Sequence, residues 1–296
     1  IRDLRSGETV FTKNYPLNPQ NLADSQFRVA RDLAAEIGKI SKESASTKAT
    51  ENLEAYQNYL EGRHFLTKSD SKDFEKAIEN FTAAALKDAN FADAHSALAT
   101  AHIRHGLALY GARGLSASRR SFPAAKESAL KALELKKDSD EALAALGFVN
   151  YRYEYDWSAA ENNFRKALAL NPNNLRARRW FGDFLHKTGR FDEGFAEQEK
   201  ALTLDPNSAQ ILSEIAWGNY LARRFDEAEN FTKKSLYIDK SNAATLYNLS
   251  EINEQKGNLK EAVELWKEAM MLESAARRFI AEIEQKSQTG GREGFT

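Results

Sequence analysis

The chain has 296 residues, 42 Lys+Arg against 43 Asp+Glu, five His and no Cys, and 42% of its side chains are apolar. That apolar share fits a folded chain of one or two domains, and a formal net charge of −1 argues against a general nucleic-acid binder, which carries a basic excess. The lack of Cys removes disulfides, thiol catalysis and Cys-ligated zinc, and no run approaches the roughly 18 apolar residues of a membrane-spanning helix.

In chain order, Leu4–Glu8 reads as a tight turn and Thr9–Tyr15 as a strand. Leu22–Ile37 reads as a helix, because Phe27, Ala30, Leu33, Ala34 and Ile37 fall on one face. A lone hairpin is marginal in water, so residues 1–38 are expected to be the remnant of an upstream α/β domain. The opening residue is Ile1 rather than Met, which also reads as a piece of something longer. Residues 39–50 are Ser/Lys/Glu-rich and read as a linker.

From residue 51 onward the chain repeats itself. Trp157-Ser-Ala-Ala160, Phe191-Asp-Glu-Gly194, Phe225-Asp-Glu-Ala228 and Leu259-Lys-Glu-Ala262 start 34 residues apart. Ten residues after each start stands a small residue: Ala167, Ala201, Ser235 and Ala269. Asn171-Pro172 and Asp205-Pro206 then end two of the helices, since proline removes a backbone donor. The period runs back with slips to Phe122 and Phe74, with about 14 extra residues assigned to Tyr110–Ser121. Between these helices a second set carries Gly147, Gly182, Ala216 and Ser250 at one shared point, spaced 35, 34 and 34. A small residue there lets two helices approach closely. Each unit is helix A, a turn and helix B, and only a stack of such pairs can bury its apolar faces.

A 34-residue helix-turn-helix unit of this kind resembles the tetratricopeptide repeat. The family's small residue at position 8, its Ala at 20 and 27 and its Pro at 32 correspond in the unit from Leu175 to Gly182, Gly194, Ala201 and Pro206. In the next unit Ala216, Ala228 and Ser235 match, while Lys240 stands in the proline position. The expected fold is therefore all-α, a right-handed solenoid of about six units over residues 51–273, with a capping helix and flexible tail over 274–296. The register of the first helix A, around Tyr56–Leu66, stays open. The order of Leu4–Tyr15, Ser25–Ile37, Glu54–Leu66 and the later array also resembles the region that follows a TolB-like domain in bacterial CadC-like winged-helix regulators, Ser/Thr kinases and adenylate cyclases. That resemblance implies the regulatory region of a larger signalling or transcription-regulatory protein.

Catalytic motifs are not evident. No GxxxxGK[ST] or GxGxxG loop occurs, and the SxxK at Ser69–Lys72 and the KTG at Lys187–Gly189 fall in turns between helices. His95, His102 and His105 lie at turn spacing on one helix but match no HExxH pattern, and the packed or solvated reading of them is preferred to a metal site. No enzyme activity, cofactor or metal is expected.

In the resembled family helix A lines the concave, ligand-binding face, and positions 5, 9 and 12 share one side of it. In the third unit these are Ala144, Phe148 and Tyr151; in the fourth, Arg179, Asp183 and His186. In the fifth they are Ser213, Trp217 and Tyr220, and in the sixth Tyr247, Glu251 and Glu254. Arg176 and Lys187 join them from positions 2 and 13. The reading is an aromatic-rich groove around a basic centre, suited to a peptide with an acidic group and an apolar anchor. The two-carboxylate clamp of chaperone-binding members needs Lys at position 5 and Asn at position 9, and units three to six have neither. The expected function is a protein-interaction scaffold, with a stand-alone adaptor or assembly factor as the alternative and a His-based metal enzyme as a third. Partners are expected to be protein or peptide, without nucleic-acid binding or membrane insertion by this chain, and with self-association open to the N-terminal strand. The cytoplasm is the favoured compartment, the periplasm the alternative if a membrane helix lies upstream.

Overall fold

The computed structural model describes residues 50–68, 71–113 and 120–272. The strand and helix expected over 1–38, nearly all of the linker, and the capping helix and tail expected over 274–296 lie outside the described residues. Among the described residues there are twelve α-helices and no strand. They run as six pairs: α1 (Leu53–Leu66) with α2 (Ser71–Lys87), α3 (Ala92–Arg113) with α4 (Ser121–Leu135), and α5 (Asp140–Val149) with α6 (Trp157–Leu170). Then come α7 (Leu175–Lys187) with α8 (Phe191–Leu204), α9 (Ala209–Leu221) with α10 (Phe225–Ile238), and α11 (Ala243–Gln255) with α12 (Leu259–Leu272). Odd helices are the A helices and even ones the B helices. The extra sequence expected at Tyr110–Ser121 partly lengthens α3, which runs for 22 residues.

Local chemistry sets where the A helices begin. Asn52, Ser139, Asn174, Ser208 and Asn242 are N-caps, their side-chain oxygens accepting from the N–H groups of Ala55, Ala142, Ala177, Ile211 and Thr245 at 2.8–3.4 Å. Each such cap satisfies one of the four orphan donors of a helix start. The cap at Asn52 fixes the first unit's register, and Ala55 is fully buried like Ala142, Ala177 and Ile211 at the same point. Asp156 caps α6 in the same way, at 3.0 Å from the Ala159 N–H.

The turn from A to B also recurs. Tyr155, Gly189, Arg223 and Gly257 adopt left-handed backbone, φ 59°, 79°, 59° and 82°, and stand 34 residues apart. In the last three units the next residue's N–H reaches back to the helix: Arg190 to the Leu185 carbonyl, Arg224 to Asn219 and Asn258 to Asn253, each at 2.9 Å. This Schellman closure satisfies carbonyls that the helix end leaves open. In the third unit the Asp156 N–H reaches one residue further, to the Asn150 carbonyl, and Asn150–Glu154 forms a π-helical turn. That turn absorbs the one extra residue behind the 35-residue spacing from Gly147 to Gly182.

Successive A helices touch one another and build one face of the stack, while each B helix packs on its own A helix and on the next. The small residues at the A/B crossing are needed there: a Cβ on Gly147 would meet the Phe164 ring at 3.0 Å, and one on Gly182 would meet Gln198 Cγ at 2.8 Å. The main core runs through the second to fourth units, with Phe148 on Trp180 at 4.7 Å and Phe164 on Phe181 at 5.6 Å between ring centroids. Further along, the buried contacts turn small and polar. Ala201, Ile211 and Ile215 form a lesser cluster, and the Ser235, Thr245 and Ser213 hydroxyls link α9, α10 and α11.

Candidate functional site

The groove residues expected from periodicity do not share one environment. Phe148, Tyr151 and His186 are buried, at 3%, 6% and 3% exposure. Phe148 lies under Trp180 of the next A helix, and the Tyr151 hydroxyl donates to Asp183 at 3.0 Å. Burial first, and then the Asp183 carboxylate, push the Tyr151 phenol well above its ordinary range, so it stays a neutral donor. His186 is wedged between two helices: a Cβ on Gly194 or on Gly218 would come within 2.2 Å of its ring. Burial lowers its pKa to about 4, so the ring is neutral near pH 7. These three side chains hold the units together beneath the face rather than lining it.

The expected basic centre is internally neutralised. Arg179 makes a two-pronged bridge to Glu214, with nitrogen–oxygen distances of 2.9 and 2.5 Å. Burial alone would lower the guanidinium's pKa, but Glu214 more than offsets it and the result is raised. Arg176 pairs with Glu141 and lies over the Trp180 ring at 5.7 Å. Lys187 pairs with Asp183 at 3.0 Å and lies 5.8 Å from the centre of the Tyr151 ring. The acceptors Glu141 and Glu214 escape a reading of positions 5, 9 and 12, yet each stands 35 residues from its arginine. Opposite charges about one repeat apart were the available signal.

The surface that remains open lies on α9 and α11. Trp217 and Tyr220 are partly exposed and stack face to face, 4.8 Å between centroids and 17° between planes. Tyr247 is partly exposed, and Glu251 and Glu254 are exposed. The two carboxylates lie near enough to act on Tyr220, whose pKa is raised first by burial and then by Glu251 and Glu254. Glu251 is itself raised, by burial and then by Glu254. At the other end of the same face a hollow of about 270 Å³ is lined by Tyr59, Arg63, Ser96, Thr100 and Ser139 among others. The buried Thr100 hydroxyl there has no hydrogen-bond partner. Arg104, near the same end, donates to the Leu66 and Lys68 carbonyls, and burial followed by Arg176 and Arg179 lowers it to about 10.

Among the described residues no group of three or more His, Asp or Glu side chains converges on a point that could hold a metal ion. His95 and His102 are shifted down by burial, His102 to about 4, and His105 faces Glu75 at 3.4 Å. No helix among the described residues is long and apolar enough to cross a membrane.

Comparison with known proteins agrees with the helix pairing. The family model of the tetratricopeptide repeat matches residues 148–209. No curated protein matches the sequence significantly. Among solved structures, a monomeric variant of IFIT1 with Gppp-AAAA aligns over 93% of this chain and 66% of its own, at 14% identity and a TM-score of 0.67. A thermophilic tetratricopeptide protein of Thermus thermophilus aligns over 62% of this chain and 97% of its own, at 18% identity and a TM-score of 0.50. At such identities the likeness is one of fold. Residues 148–209 thus carry tetratricopeptide repeat sequence, and the described helices on both sides continue the same all-α solenoid.

Proposed function

We propose that this chain is a protein-interaction scaffold that holds an extended peptide of a partner against the A-helix face, as the regulatory region of a larger bacterial signalling or transcription-regulatory protein. The supporting observation is the stacked, partly exposed Trp217–Tyr220 pair, on a face where Phe148, Tyr151 and Trp180 of the preceding units are covered. Solvent-facing aromatic rings in a fixed geometry supply contact area at low entropic cost and are typical anchors of binding energy. In this reading Trp217, Tyr220, Tyr247 and Glu251 make the contact, and Arg176, Asp183 and Lys187 form its rim. Phe148, Tyr151, Arg179 and His186 set the spacing of the helices beneath. The regulatory context rests on the resemblance of Leu4–Tyr15 and Ser25–Ile37 to the end of a TolB-like domain.

Selection of random peptides on the intact chain, followed by affinity measurement, tests the reading. Enriched peptides should bind with Kd on the order of micromolar, about −8 kcal/mol. Trp217→Ala should weaken them at least tenfold, about 1.4 kcal/mol or more, and Leu86→Ala on the exposed face of α2 should leave them unchanged. Enriched peptides indifferent to Trp217→Ala would remove the site from this face.

A further inference from the structure

Carboxylates on the A-helix face are, for the most part, already answered from within the molecule. Glu141 meets Arg176, Asp183 meets Lys187, and Glu214 meets Arg179. Glu251 and Glu254 break that pattern. They sit at i and i+3 on α11, both are exposed, and neither has a cation within ion-pair distance among the described residues. Their mutual repulsion is part of what raises Glu251. A basic group acting on Tyr220 is Arg223, which lies over the Phe225 ring at 5.5 Å and forms no ion pair with either glutamate among the described residues.

On α9, the A helix that packs against α11, lies the stacked pair of Trp217 and Tyr220, and both charges act on Tyr220. An aromatic face carries negative quadrupole density and attracts ammonium or guanidinium groups, worth about 0.5–2 kcal/mol depending on desolvation. Anionic oxygens one helix away add Coulomb attraction of the same sign. An anion would meet repulsion from both. A neutral apolar side chain would satisfy the rings and leave both carboxylates unanswered.

We propose that Trp217, Tyr220, Glu251 and Glu254 form a subsite for a cationic side chain, lysine or arginine, of the partner peptide. This rests on the peptide-groove reading and reverses the charge sense expected from sequence, because the arginines that suggested an acidic ligand are spent on internal partners.

The test uses the whole chain and three fluorescein-labelled peptides of one framework, carrying lysine, norleucine or glutamate at alternate positions. Anisotropy titration should give tightest binding for the lysine peptide, by about tenfold over norleucine, with an advantage that shrinks as salt is raised. Glu251→Gln/Glu254→Gln should abolish that advantage, while Glu227→Gln/Glu261→Gln, exposed acids on the B helices, should leave it intact. Charge reversal, Glu251→Lys/Glu254→Lys, should transfer the preference to the glutamate peptide. Melting curves establish that each variant is folded. Equal binding of the lysine and norleucine peptides, both sensitive to Trp217→Ala, would overturn the subsite and leave the groove standing. A preference for glutamate in the wild type, or no binding of any of the three up to about 1 mM, would overturn the subsite as well, and the random-peptide selection would then decide the groove by itself.

Discussion

Arg179 and Glu214 show how a side chain on the expected binding face can belong to the scaffold instead. Their two-pronged bridge is mostly shielded, at 16% and 26% side-chain exposure. Removing one partner leaves a charge without an answer, whereas removing both leaves apolar contact. Arg179→Glu is therefore not a clean probe of binding, because it opposes two carboxylates inside the stack. Arg179→Met should cost about 2–4 kcal/mol in urea unfolding, and Arg179→Met/Glu214→Leu should recover most of it. A double variant as unstable as the single one would show that the pair matters for shape rather than charge. His186 gives a pH dependence of definite sign. Its folded pKa of about 4 lies below the ordinary 6.5, so the unfolded chain takes up the proton first. Its contribution to stability is complete above about pH 6.5 and falls away as pH drops towards 4, by up to roughly 3 kcal/mol in total. His102 titrates in the same direction. Unfolding free energies from pH 7.5 to 4.5 should fall in the wild type and fall less steeply in His186→Leu. A slope that is unchanged in His186→Leu would assign the whole effect elsewhere.

At the scale of the helix and its turns, much was legible in the sequence. The 34-residue spacing of Trp157, Phe191, Phe225 and Leu259 marks four B-helix starts, and the small residue three positions after each, Ala160, Gly194, Ala228 and Ala262, is the one buried where the B helix meets its A helix. Gly147 and Gly182 were readable for a related reason: close helix contact admits little else. The left-handed turn was only half readable. Gly189 and Gly257 are ordinary occupants, but Tyr155 and Arg223 take the same φ against their steric preference, and no residue type announces it. Burial on the A face was not readable from periodicity either. Phe148 and Trp217 both occupy position 9, yet Trp180 covers the first from position 6 of the following unit. The equivalent residue facing Trp217 is Asn248, which donates instead to Ser213 at 3.3 Å. Which ring stays open and which is core is thus decided by the neighbouring unit. The turn supports its own prediction. Tyr155 is 71% exposed and gains little from packing, so Tyr155→Gly should relieve left-handed strain and stabilise the chain by about 0.5–1 kcal/mol in urea denaturation. A loss of stability would mean that the tyrosine ring contributes more than its exposure suggests.

Across the whole stack the core is uneven. The second to fourth units share one cluster rich in Phe, and the fifth and sixth rely on Ala, Ile, Leu, Ser, Thr and Asn. Aromatic burial contributes more per residue than small-side-chain burial. In a linear array, where each unit touches only its neighbours, that difference becomes a gradient of local stability. Amide hydrogen exchange should therefore be slowest in α5–α8 and faster in α9–α12. Uniform protection from Leu53 to Leu272 would show that the array unfolds as one cooperative body.

The recurring caps and turns have a consequence for how such a chain can grow. From the fourth unit on, each unit opens on an asparagine or serine that caps its first helix, and the left-handed turn between its helices closes the carbonyls of that helix. Backbone hydrogen bonding is thereby settled largely inside the unit, and the next unit is joined chiefly through side chains. A stretch such as 174–207, copied once in the gene and spliced in before Ser208, would arrive with its own start and corner already built. The number of units is then a quantity that recombination can change one step at a time, with the new seam between side chains the only part left to be refined.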